Sequence, residues 1–479
     1  MGDELCLLPA TELRELIGRR EISPVEVTGA ALERAERLQP RLNCFITICR
    51  DQALRDAKLA EQACMRGEPI GLLHGVPFTV KDLVNTRAVR TTYGSLLHGR
   101  NIPDEDAEAV ARLRRSGAIL IAKTTTPEFG AKSFTQAPLF GRTGNAWNPE
   151  RTCGGSSGGA AVAVASGIGP TAVATDGGGS TRIPAACNGV VGFKQTIGVI
   201  PHSQAQDAFG NYTFVTPMTR TVADTALMLQ VMAGPHASDP WSIGLPVPDY
   251  IRAARVDGGD LRGRRIWFCT VPPGRPVARD VACAFALALR RFQNLGAELN
   301  EMDGGPFDIE PMWRVINHTN WRARFAPLAA RHADEMSPTL LRQLASAADV
   351  SGSDYQSAMF ARAALFRHVQ TLLSTHDFIV TPTLSRTAPP VENDLFDPIT
   401  IDGRDYEDVR SSWYPWTMPF NLTGHPAVSL PTGFGDDGLP IGIQAVGRFR
   451  ADAELLRLAA VYESATGLLG RWPQLAMGG

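Results

Sequence analysis

No stretch of this 479-residue chain carries the roughly 18 or more consecutive apolar residues needed to cross a bilayer. The opening Met1-Gly2-Asp3-Glu4-Leu5-Cys6 lacks a basic segment followed by an apolar one, so no secretory leader is expected. Neither sign of charge is in excess: 47 Lys and Arg stand against 49 Asp and Glu, a formal net charge of −2. That balance gives no electrostatic reason to expect nucleic acid or an anionic membrane as a partner. The eight cysteines are scattered, without a C-x-x-C pair or a partnered histidine spacing, which argues against a metal centre. Thiols of this kind fit a reducing cytoplasm better than an oxidising exterior. Internal repeats are absent, and no linker is clear enough to cut the chain.

What is present is an ordinary globular balance, 44% hydrophobic and 20% charged, with length enough for a large core. Ser23-Pro24-Val25-Glu26 has the form of a capping box, opening a helix expected to end near Gln39-Pro40. Gly75 to Val80 reads as a buried strand, Pro77 suggesting an edge or irregular position. A helix over Ala107–Ser116, closed by Gly117, leads to an apolar strand, Ala118–Ala122. A small-residue helix at Ala160–Ala165 precedes a strand at Thr171–Ala174 and a loop at Asp176–Ser180. This alternation predicts an α/β protein: one large domain over 1–479, with a mixed, mostly parallel twisted sheet covered by helices on both faces. The pattern weakens between about 240 and 420. Helices are expected there at Val281–Leu295 and Asp354–Ser374, and a strand at Asp377–Val380. A strand pair, Ala427–Leu430 and Ile441–Val446, and a helix from Asp452 to Glu463 close the chain.

Three polar residues stand out. Lys81 ends the apolar run Gly75-Val76-Pro77-Phe78-Thr79-Val80. Ser156 sits in Gly154-Gly155-Ser156-Ser157-Gly158-Gly159, and Ser180 in Asp176-Gly177-Gly178-Gly179-Ser180-Thr181-Arg182. A serine hydroxyl needs a base to take its proton during attack. A lysine can serve if desolvation lowers its pKa from about 10.4 towards neutrality. Gly177, Gly178 and Gly179 lack side chains, so with Ser180 they can turn backbone N–H groups towards a tetrahedral oxyanion. One such donor typically contributes about 3 kcal/mol. Asp176 and Arg182 could hold the ends of this loop by an ion pair. A competing reading exists, since Gly154–Gly158 fits G-x-S-x-G, the nucleophile elbow of α/β-hydrolases. The preceding Asn148–Cys153 is polar and turn-like, where that motif needs a strand. His425 and His318 read as structural or pocket-lining, and Asp82 as a polar residue at a strand end.

These segments resemble the amidase signature family of serine hydrolases. The likeness covers Gly75–Asp82, Lys123–Phe129, Phe140–Asn145 and Gly154–Lys194, with a signature core over about 70–225. It continues through Thr216–Asp224, Asn421–Ala427 and Leu439–Gly442, and is weakest between about 240 and 415. The resemblance implies a Ser–cis-Ser–Lys triad: Ser180 as nucleophile, Ser156 as relay with a cis peptide to Gly155, and Lys81 as base. Ser157 is a further supporting residue, beside Asp176 and Arg182. Two positions depart from family usage. Gly177 stands where a larger residue, often threonine, is usual, and Cys153 where proline is common.

The triad and backbone donors complete the chemistry, so no metal or organic cofactor is expected. Substrate specificity should come from about 240–420 and the loop after Pro127. Phe129, the small Gly130 and Ala131, and Trp413 and Trp416 in a turn-rich stretch are candidate pocket residues. The expected activity is hydrolysis of carboxylic amides, apolar or aryl, through a Ser-linked acyl-enzyme. Aryl carbamates come into range because the acyl chemistry is the same. The expected partner is a small-molecule amide or carbamate, with no nucleic acid and no membrane; a homodimer is compatible with the sequence. Two alternatives stand beside this: the glutamine-hydrolysing subunit of a tRNA amidotransferase, and a non-catalytic binding protein on the same fold.

Overall fold

A computed structural model describes residues 2–256 and 258–477. Its centre is one eleven-stranded sheet. In chain order the strands are β1 Phe45–Ile48, β2 Pro77–Lys81, β3 Ile119–Thr124, β4 Thr171–Asp176, β5 Val191–Lys194, β6 Phe214–Thr219, β7 Arg265–Phe268, β8 Glu298–Glu301, β9 Phe378–Pro382, β10 Ala427–Phe434 and β11 Pro440–Gly447. Across the sheet they run β1-β3-β2-β4-β6-β5-β10-β11-β9-β7-β8.

The sheet is mixed, as expected, but its parallel share is smaller than the strand–helix alternation suggested. β2 runs parallel to β3 and β4, and β7 to β8 and β9; the remaining neighbours are antiparallel. The central strands β6, β5, β10 and β11 supply most of the antiparallel pairings.

Both faces are covered, which side-chain alternation makes visible. Along β4, Val173 joins one apolar cluster while Ala172 and Ala174 join another. Helices Val222–Met232 and Asp452–Ser464 pack on the first face, and Gly158–Ala165 on the second. Gly158–Ala165 is apolar all round and every residue is buried, so it tolerates neighbours on all sides.

Local chemistry explains several boundaries. Ser23 accepts a hydrogen bond from the Val25 N–H, and Glu26 accepts from the Ser23 N–H, closing the capping box. That helix continues through Pro40 to Leu42 and stops at Asn43 in the left-handed region. Pro77 is the first residue of β2, where a missing N–H costs little, and the register with β3 shifts between Phe78 and Thr79. The position is thus irregular but central, not at an edge.

Candidate active site

β2 and β4 are parallel neighbours, and their C-terminal ends bring Lys81 beside Thr175 and Asp176. In open α/β sheets this end of the strands is where ligand sites form. Lys81 is fully buried. Its Nζ lies 2.7 Å from Ser156 Oγ, 2.8 Å from Ser157 Oγ and 2.8 Å from Thr175 Oγ1. Burial pushes its pKa well below the ordinary lysine value, and Asp176 pulls the other way.

The three hydroxyls are not equivalent. Ser157 Oγ donates to the Thr175 carbonyl at 3.0 Å, so its proton is committed and it must accept from Lys81. Ser156 Oγ has no such commitment and is free to donate to a neutral amine. A neutral lysine has two N–H donors and one lone pair, which matches this arrangement. The Gly155–Ser156 peptide is cis. The two serine loops are joined by the Ser157 N–H, which donates to the Ser180 carbonyl at 3.1 Å.

Ser180 sits on the Asp176–Thr181 loop, and the architecture beneath it is charged. Arg182 and Asp176 are both completely buried and form a two-pronged pair, Nε to Oδ2 and Nη2 to Oδ1, each 3.0 Å. Arg182 also donates to the Thr417 carbonyl, Gln444 and Asn421. Burial alone would raise the Asp176 pKa, but Arg182 and Asn421 outweigh it and hold the carboxyl below the ordinary range.

This network corrects one expectation about the oxyanion donors. The Gly179 N–H donates to Asp176 Oδ1 at 2.7 Å and is spent on holding the loop. Among the described residues no protein acceptor takes the N–H groups of Gly177, Gly178 or Ser180. Gly179 has a φ of +123°, and a Cβ there would come 2.4 Å from Thr417 Oγ1, so the turn requires glycine. Gly177 differs: a Cβ there would meet Thr213 Cγ2 at an ordinary 3.4 Å.

Ser156, Gly177, Gly178 and Ser180 open on a cavity of about 920 Å³. Phe129, Gly130 and Ala131 line it. Gly130 is closest to the chemistry, since a Cβ there would stand 3.3 Å from Ser156 Oγ. Trp413 and Trp416 do not line it. Both are completely buried, and the turn-rich stretch holding them folds beneath the loop as support. Thr417 Oγ1, just after it, donates to the Gly178 carbonyl at 2.7 Å. Tyr414 from that stretch does reach the cavity. Cys153 is buried beside the Gly154 carbonyl, and burial pushes its thiol up to about 12.

The helix Glu310–His332 supplies the opposite wall, with Trp313, Asn317, Trp321 and Arg324 at helical spacing. Trp313 Nε1 donates to the Gly177 carbonyl at 3.3 Å. Asn317, Arg324 and Thr175 were not singled out by the sequence. A polar face over an open cavity breaks the apolar periodicity that would have marked this helix.

The histidines stand apart from this chemistry. His425 is buried, bonded to Thr423 and Gln370, and burial lowers its pKa to about 3. His318 is bonded to Ser346 and Arg410 and is likewise lowered by burial to about 3. No group of three or more His, Cys, Asp or Glu among the described residues could hold a metal ion. No helix among them is long and apolar enough to cross a membrane.

The Amidase family model matches residues 26–456. The chain belongs to the amidase signature family. It is 36% identical over 467 residues to the acylamidase of Rhodococcus erythropolis, covering 95% of each chain. The glutamyl-tRNA(Gln) amidotransferase A subunit of Thermosynechococcus vestitus is 33% identical, over 97% of this chain and 99% of that one. Among solved structures, a bacterial aryl acylamidase of the amidase signature family superimposes with a TM-score of 0.89 at 28% identity, covering 98% and 99%.

Proposed function

We propose that this chain hydrolyses carboxylic amide C–N bonds through an acyl-enzyme on Ser180. The observation carrying this reading is a fully buried Lys81 hydrogen-bonded to Ser156, with the Ser180 loop opening on the same cavity. Neutral Lys81 takes the Ser156 proton while Ser156 takes that of Ser180. Ser180 Oγ then attacks the carbonyl carbon. The N–H groups of Gly177, Gly178 and Ser180 face the developing oxyanion. The relay returns the proton to the departing amine, the C–N bond breaks, and water attacks the acyl-Ser180 ester by the same route.

The substrate class that fits is an apolar or aryl amide, with aryl carbamates reached by the same chemistry. Phe129 and Phe325 stack at 4.2 Å between ring centroids on the wall near Gly130, forming an apolar lobe. The relatives named acylamidase and aryl acylamidase support this choice.

A second reading rests on the relatives that serve in amidotransferases: glutamine hydrolysis within an assembly. Anilide and glutamine hydrolysis assayed side by side separate the two. Intact mass and peptide mapping after treatment with a fluorophosphonate test the mechanism. A single adduct on Ser180, forming far more slowly in Lys81→Ala, is the expected result. An adduct on Ser156 instead would overturn the assignment of the nucleophile.

A further inference from the structure

We infer that the cavity takes an elongated amide whose far end carries a carboxylate, received by Arg324. This inference rests on the amidase reading and names a feature of its substrate. The helix Glu310–His332 runs along the cavity wall and acts as a scale. Trp313 touches the oxyanion loop through the Gly177 carbonyl, and Asn317, Trp321 and Arg324 follow on the same face. At 1.5 Å per residue, Arg324 lies roughly 16 Å beyond Trp313 along the helix axis.

The other lysine and arginine lining this cavity, Lys132 and Arg410, are committed. Lys132 pairs with Asp394 at 2.8 Å. Arg410 lies 3.9 Å from Glu310 and donates to Gln343. Asp176 is bound by Arg182, and Asp207 accepts from the Gly210 N–H. Arg324 is exposed and has neither an ion-pair nor a hydrogen-bond partner among the described residues, and Tyr212 and His202 lie near it. Its guanidinium stands 4.8 Å from the Phe325 ring centroid, a contact that leaves N–H donors unused.

A second observation points the same way. Asn317 is 4% exposed and lines the cavity between Trp313 and Arg324. Its Oδ1 accepts from the Tyr212 hydroxyl at 2.9 Å, while its Nδ2 has no partner among the described residues. A buried amide donor without an acceptor is costly unless a ligand or a water in the cavity supplies one. An acyl chain leading away from the carbonyl that Ser180 attacks therefore passes Asn317 and ends in an anion at Arg324. The path to Arg324 runs along the apolar lobe of Phe129 and Phe325, since the guanidinium lies against the Phe325 ring. Arginine suits the task because its planar fork matches a carboxylate in two N–H···O bonds.

The test compares two anilides: suberanilic acid, whose carboxylate and anilide carbonyl stand at opposite ends of an aliphatic chain, and its uncharged counterpart N-phenyloctanediamide. Aniline release should favour the acid by about tenfold or more in kcat/KM at low salt. The preference should reside in KM and shrink as salt is added. In Arg324→Gln the ratio should fall to about one, and Arg324→Lys should recover part of it. The same pair is titrated against the Ser180→Ala protein, with and without Arg324→Gln, following tryptophan fluorescence, so that affinity decides the matter even if turnover is slow. Equal affinity and equal kcat/KM for the two compounds, or a preference that survives Arg324→Gln, would overturn the inference. Failure of the amidase reading looks different: no fluorophosphonate adduct forms on Ser180, whatever the two affinities are.

Discussion

Lys81 Nζ and Ser157 Oγ are 2.8 Å apart, and the serine proton is already given to the Thr175 carbonyl. The contact therefore fixes which way the lysine's own hydrogens point. One N–H goes to Ser157, and the lone pair is left for Ser156. Ser157→Ala should misorient the amine without removing it. The expected outcome is a kcat reduced by about tenfold to a hundredfold with KM little changed. Steady-state kinetics on an anilide check this, and an unchanged kcat would show that Ser157 has no part in aligning the base.

Removing the Lys81 amine, the base of the proposed mechanism, should cost more. Lys81→Ala is expected to lower kcat/KM by about 10²- to 10⁴-fold, the range of general-base contributions. Wild-type activity should rise with pH through a depressed lysine pKa and then level, and the mutant should lose that limb. Stability carries the same signature. Because the folded pKa is lowered, the unfolded chain binds more protons between the folded and unfolded values, and stability rises with pH across that window. Below the folded value the penalty for a buried charge is fully present. Lys81→Met should therefore flatten the alkaline part of a melting temperature against pH curve, and identical curves would refute it.

The buried ion pair beneath the loop gives a third expectation. Arg182→Met leaves the Asp176 carboxylate without its cation in a site with no exposure. Breaking such a pair typically costs about 3–5 kcal/mol. Urea unfolding measures it, and a loss below about 1 kcal/mol would mean that Asn421 alone suffices. Activity should fall as well, since Asp176 holds both the Gly179 and Thr181 N–H groups.

Two glycines of one loop should behave oppositely. Gly179→Ala meets Thr417 at 2.4 Å from a φ that L residues rarely adopt, so a loss of about 1–3 kcal/mol is expected. Gly177→Ala has ordinary contact distance and no positive φ, and its stability should be within about 0.5 kcal/mol of wild type. Denaturant midpoints of the two variants decide this, and equal losses would contradict the geometry.

The sequence disclosed the side of the cavity at Ser156 and Ser180 better than the wall formed by the helix Glu310–His332. Lys81, Ser156 and Ser180 lie in dense Gly-rich or strand-end signals; the structure places Ser156 and Ser180 at one cavity, with Lys81 hydrogen-bonded to Ser156 from the buried side. The strand Phe214–Thr219 was hidden because Pro217 sits inside it, opposite Val173 of a central strand, where proline usually argues against strand. Gly179 looked like a free donor because sequence shows a missing side chain but not the carboxylate that occupies its N–H. Trp413 and Trp416 looked like a pocket wall because their surroundings are turn-rich. Turns here pass under the loop, and burial of two large indoles follows from that path. Arg324 and Asn317 emit no local signal, since a polar residue facing a cavity reads like one facing solvent.

The last expectation concerns a carboxylate away from the cavity. Asp224 is completely buried: its Oδ1 accepts from the Thr11 N–H at 3.0 Å, and its Oδ2 has no partner among the described residues. Burial pushes its pKa up to about 6. A raised carboxyl pKa means that the folded chain binds more protons than the unfolded one between about 4 and 6. Stability therefore falls as pH rises through that window, and the penalty is fully present above it. Asp224→Asn keeps the acceptor for Thr11 and imitates the protonated acid without the titration. At pH 8 the variant should be more stable than wild type by about 2–3 kcal/mol, at roughly 1.4 kcal/mol per pKa unit. At pH 4 the two should nearly coincide. Urea midpoints at the two pH values measure the difference. A variant less stable than wild type at pH 8 would mean that the anion, not the acid, is the form that this site holds.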